Sequence, residues 1–60
     1  MRPKDMMKIL ESDGWKVVRI TGSHHMHKHP TKPGLIPVAL HNKEMAPGTV
    51  NKILKDAGLK

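Results

Sequence analysis

Glycine and proline cut this sixty-residue chain into five short segments, which rules out any long regular element. Pro3 suits a first helical turn, where its missing N–H is not needed. After it Met6, Met7 and Leu10 recur three and four apart, with Ile9 beside them, as on one helix face. Ser12-Asp13-Gly14 closes that helix, which is predicted over residues 3–13. Trp15 to Thr21 is rich in Val, Ile and Thr and reads as a strand. Gly22-Ser23 is a turn, and His24 to His29 is too short for a helix before Pro30, so it reads as a second strand. Thr31-Lys32-Pro33-Gly34 is a turn, and Leu35 to Leu40 is a third strand. Pro37 has no N–H for a ladder, which places that strand at a sheet edge. His41 to Ala46 is a loop. Pro47 then opens a last helix whose Val50, Ile53, Leu54 and Ala57 follow the i, i+3, i+4, i+7 pattern up to Gly58.

Short connections between the three strands imply an antiparallel meander. The expected fold is α+β in the order α-β-β-β-α, a three-stranded antiparallel sheet with two helices on one face. The length allows one domain, residues 1–60. A domain of this size buries only about 60% of the surface its unfolded chain exposes, so it encloses no deep pocket. Its chemistry belongs on an open face or in a shallow groove. Trp15 is the only aromatic residue, which leaves the core to Leu, Ile, Val and Met. Alternation along the second strand puts His24, Met26 and Lys28 on one face and His25, His27 and His29 on the other. Both sets contain histidine, so the pattern does not say which set meets the helices.

Eleven Lys and Arg against five Asp and Glu give a formal charge of +6 and a pI of about 10.1. Such a balance fits a nucleic-acid footprint, and it fits a solvated basic surface equally well. The chain has no cysteine, which argues against a disulfide-stapled secreted mini-protein. No run reaches the length of a membrane span, and the N-terminus lacks the apolar stretch of a signal peptide. The expectation is a cytoplasmic protein without a membrane partner or a small-molecule cofactor.

Four of the five histidines fall within six positions, His24, His25, His27 and His29. Imidazole is the side chain that exchanges protons near neutrality, which suits it to general acid–base work. Beside Lys and Arg, it points to a protein that binds nucleic acid and cuts it. Two other classes stay open on the residues alone: a non-catalytic RNA-binding module with idle histidines, and a histidine-based metal-binding domain. Against the last, same-face side chains on a strand are roughly 7 Å apart, long for one ion; no metal site is expected. Ser23 as a nucleophile has no orienting carboxylate evident nearby, and the turn role fits it better. His25, His27 and His29 read as half-buried strand residues with satisfied nitrogens. Lys28 shares a face with His24, and Lys16, Arg19, Lys32 and Lys43 lie on flanking strands or loops. Together they are the candidates for phosphate contacts, which position RNA without reading its sequence.

Gly22-Ser23-His24-His25 followed by Lys28-His29-Pro30, with Ala46-Pro47-Gly48-Thr49-Val50 and the helix up to Leu59, closely resembles the HicA toxin family of messenger-RNA interferases. Leu10-Glu11-Ser12-Asp13-Gly14-Trp15 also looks like that family's first helix and its turn into the first strand. The resemblance covers essentially the whole chain in the right order. It implies a double-stranded-RNA-binding-domain-like fold, metal-independent cleavage of mRNA, and neutralisation by a HicB-type antitoxin. It carries the catalytic histidine onto His24, with His25 as runner-up and Gly22 and Ser23 as the turn that positions it. One position departs from the pattern. The aromatic usual two residues before the histidine of Lys-His-Pro is His27 here.

Overall fold

A computed structural model describes all sixty residues. Helix α1 spans Pro3–Ser12, strands β1, β2 and β3 span Lys16–Thr21, His24–Lys28 and Ile36–Ala39, and helix α2 spans Pro47–Asp56. Both helices carry a proline in the first turn, as expected. The strands form one antiparallel sheet in the order β1-β2-β3. Met6 and Leu10 of α1, Ile36 and Val38 of β3, and Ile53 and Ala57 of α2 form one apolar cluster with Trp15. Both helices therefore share the sheet face to which Ile36 and Val38 point. No helix is long and apolar enough to cross a membrane.

The turn between β1 and β2 is the two residues Gly22-Ser23. Gly22 takes a positive φ of 60° and Ser23 does not, the pattern of a type II′ hairpin, whose twist matches that of its strands. At the other edge, the Leu40 N–H donates to the Ser23 carbonyl at 2.8 Å. Ladder bonds alternate along an antiparallel pair, so Pro37, opposite Met26, turns its nitrogen away from β2. The edge position read from the proline is the one observed.

The strand register settles the two faces of β2. His25 pairs with Val38 and His27 with Ile36, and directly paired residues share a face. The helices thus cover the His25 and His27 side. His24, Met26 and Lys28 lie on the open side with Pro37 and Ala39. One feature was not expected. Val17 pairs with His27 but Arg19 pairs with Met26, so β1 carries a bulge with Val18 as the extra residue. Simple alternation would send Lys16 and Arg19 to opposite faces; the bulge brings both to the open face, beside Lys28 and Met26.

His27 differs from the expected half-buried, satisfied strand residue, whereas His29 is half-buried and satisfied as expected but lies outside the strand. His27 is fully buried; its Nδ1 bonds the Ile36 carbonyl at 3.2 Å, and its Nε2 has no partner. His29 lies just beyond the strand end and acts as a corner post. Its Nε2 donates to the Asp13 carbonyl at 2.7 Å, and its Nδ1 accepts from the Thr31 and Lys32 N–H groups. Its ring meets Trp15 edge-on at 5.3 Å. Gly14 is required there: its φ is 106°, and a Cβ would stand 2.9 Å from His29 Nε2.

Candidate functional site

The tight Gly22-Ser23 turn sets His24 as the first residue of β2, so its side chain leaves a rigid element rather than a loop. His24 is exposed. It is also the one histidine of five whose ring makes no hydrogen bond. His25 is half-buried on the covered face, with Nδ1 donating to the Ser23 carbonyl at 3.2 Å. His27 and His29 are tied internally as described, and His41 Nδ1 accepts the Lys43 N–H at 3.2 Å. No three His, Asp or Glu side chains come together in an arrangement that could hold a metal ion. His25, His27 and His29 each have separate carbonyl partners.

The predicted cations fall into three groups. Lys16 and Lys28 are direct cross-strand partners on the open face, with Arg19 next to them opposite Met26; all three are exposed. Like charges directly opposite each other destabilise a strand pair, and an anion lying between them removes that cost. Four residues of strand separate Lys28 from His24, about 13 Å at roughly 3.3 Å per residue. Lys43 is exposed in the loop before α2. Lys32 is in different company. Its Nζ donates to Asp13 Oδ2 at 2.5 Å and to the Ala57 carbonyl at 2.9 Å, tying the end of α1 to the end of α2. That bond, followed by the charge of Lys32, holds the Asp13 carboxyl below its ordinary value despite partial desolvation. The buried indole N–H of Trp15 has no hydrogen-bond partner. The ammonium of Lys32 is spent inside the molecule.

His24 looks into a shallow groove of about 300 Å³ along the β3 edge, lined also by Pro37, His41, Glu44, Met45 and Thr49. Glu44 is the only acid in it. The N-terminal ammonium of Met1, 2.6 Å away, holds its carboxyl below the ordinary value and offsets its charge, with Arg2 at 3.7 Å adding to the effect. His41 is the functional candidate that the sequence pattern left in a loop. With Nδ1 accepting from Lys43, its hydrogen is carried on Nε2. The groove therefore combines a ring without a hydrogen-bond partner, His24, with a second imidazole, His41, whose proton is on Nε2. It opens onto a sheet face that carries three cations.

A scan against protein-family models matches residues 3–59 to the family described as HicA toxin of bacterial toxin-antitoxin. A comparison with curated proteins returns no match. A match over nearly the whole chain, on a fold with the expected element order, makes this protein a member of the HicA toxin family, the toxin side of a toxin–antitoxin pair.

Proposed function

We propose that this toxin is a metal-independent mRNA interferase, an endoribonuclease that cuts cytoplasmic messenger RNA with His24 as its general acid–base residue. The observation that carries the reading is the contrast among the histidines. Four are engaged by backbone groups, and His24 alone is exposed with both ring nitrogens free. Its neighbour His25 is half-buried on the covered face, which favours His24 within the pair.

In the proposed reaction an imidazole nitrogen of His24 takes the proton of a ribose 2′-hydroxyl. The 2′-oxygen then forms a bond to the adjacent phosphorus, and the bond from phosphorus to the 5′-oxygen breaks. The 5′-oxygen leaves with a proton, which the imidazolium can return. General acid–base catalysis of this kind contributes roughly 10² to 10⁴ in rate. Lys16, Arg19 and Lys28 hold the phosphates of the strand across the open face, and Lys43 adds charge beside the groove. Lys32 is left to its structural tie. A HicB-type antitoxin would silence the enzyme by covering the His24 face, since the groove is shallow and has no lid. The net charge of +6 favours an acidic contact surface on that partner, which speeds encounter more than it sets final affinity.

The test is cleavage of single-stranded mRNA in excess EDTA by the wild type and by His24→Ala. We expect the wild type to cut and the variant to lose about two to four orders of magnitude while keeping its fold. Cleavage that stops with EDTA and returns with Zn²⁺ or Mg²⁺ would overturn the metal-independent mechanism. Equal rates in the two proteins would remove His24 from it.

A further inference from the structure

His41 lines two concavities, not one. Besides the His24 groove, it borders an open cleft of about 860 Å³ whose other walls include Arg2, Lys4, Lys8, Glu11 and Leu40. The cleft lies outside the cations expected from the sequence, along the flank of α1 beside its buried stripe, where Met7 packs against the core. Lys4, Met7, Lys8 and Glu11 follow the i, i+3, i+4, i+7 spacing, and Met6 and Leu10 occupy the buried stripe. Lys4 and Lys8 are exposed and stand one turn apart on one face, with Cβ atoms about 5–6 Å from each other. The Arg2 side chain is exposed, with a 3.7 Å contact to Glu44. Between these charges Leu40 is 41% exposed and Met7 half-buried, giving the cleft an apolar floor under a basic rim.

Resting on the ribonuclease reading of the His24 groove, we propose that the α1 cleft is the second half of a continuous single-stranded-RNA track. A strand that crosses His24 passes over His41 and lays its following phosphates along Arg2, Lys4 and Lys8. The chemistry of the cleft matches a nucleotide chain, which alternates anionic phosphates with flat bases able to lie on apolar side chains. His41 joins the two halves. Its Nδ1 is occupied by the Lys43 N–H, so its proton is on Nε2, leaving that nitrogen as the hydrogen-bond donor for a phosphate oxygen at the junction. Leu40 and Met7 read no base edge, so the cleft adds affinity and a requirement for length, with little sequence preference.

The experiment uses two kinds of oligonucleotide with the wild type and the double variant Lys4→Gln/Lys8→Gln. The first is a cleavable series with one ribonucleotide at a fixed cut site, extended by increasing numbers of deoxynucleotides on either side. The wild type should gain in kcat/KM as the strand is lengthened on one side of the cut, and the double variant should lose that gain. The second is an uncleavable 2′-O-methyl RNA, titrated at several salt concentrations. The log–log salt slope should be shallower in the double variant by about 1.4, two contacts at roughly 0.7 each. If the wild type cuts nothing but the slopes differ as expected, the cleft binds RNA and the ribonuclease reading fails. If the slopes and the length profiles of the two proteins coincide, the α1 track is wrong whatever His24 does.

Discussion

His24 and His27 sit three residues apart on the same strand, and almost nothing else about them agrees. His24 is exposed, free of hydrogen bonds and set at a shallow groove that opens onto the cationic sheet face. His27 is fully buried among apolar residues, with one nitrogen bonded to a carbonyl and the other unpartnered. The difference arises from the two-residue period of a strand, which sends odd and even positions to opposite faces. Chemistry in this small fold is decided by which face a side chain occupies, and residue type is secondary.

The sharpest way to break the comparison is to remove each ring in turn and measure stability. His27→Ala opens a cavity in the core and should cost about 3 kcal/mol, as large-to-small core changes do. His24→Ala should leave the melting temperature near that of the wild type. Equal losses would mean that His24 is also a packing residue and that its open position is not functional.

A smaller effect is expected on the open face itself. Lys28→Glu places an acid opposite Lys16 and removes one phosphate contact. RNA binding by an inactive variant should weaken for all sequences alike, with the log–log salt slope reduced by at least about 0.7. An unchanged slope would show that the open-face cations only solvate the sheet.

The smallest change sharpens the covered side. His27→Phe removes the buried nitrogen that has no partner, a group whose desolvation costs about 1–3 kcal/mol. It gives up the bond to the Ile36 carbonyl in return, so a net gain of about 1 kcal/mol is expected. For a chain of this size that is a rise of about 4–8 °C in melting temperature, with cleavage unaffected. A fall in melting temperature would show that the carbonyl bond outweighs the orphaned nitrogen.

These contrasts also show what the sequence could and could not reveal. The helices were legible because Met6 and Leu10, and Ile53 and Ala57, repeat at helical spacing, and proline marks both starts. Pro37 disclosed the sheet edge, and Gly22-Ser23 the hairpin. The covered face of β2 was not legible, since both faces carry histidine and only pairing with Ile36 and Val38 separates them. The bulge at Val18 left no compositional trace, because Val17 and Val18 are equally good strand residues. Lys32 read as a free loop cation, for its partners Asp13 and Ala57 are 19 and 25 residues away. His41 was passed over for the same reason: its place beside His24 is made by the chain folding back, which no local pattern records.

The Val18 bulge has a further consequence for the molecule in a crowded cell. A three-stranded sheet has two free edges, and an unpaired edge is a template on which another chain can add a strand. Here β3 turns the nitrogen of Pro37 outward, so that edge lacks a donor where a partner would need one. On β1 the bulge breaks the regular spacing of the outer ladder, and Lys16 and Arg19 add like charges for any second copy to meet. The irregularity that gathers the cations on one face thus also guards the chain against polymerising with itself.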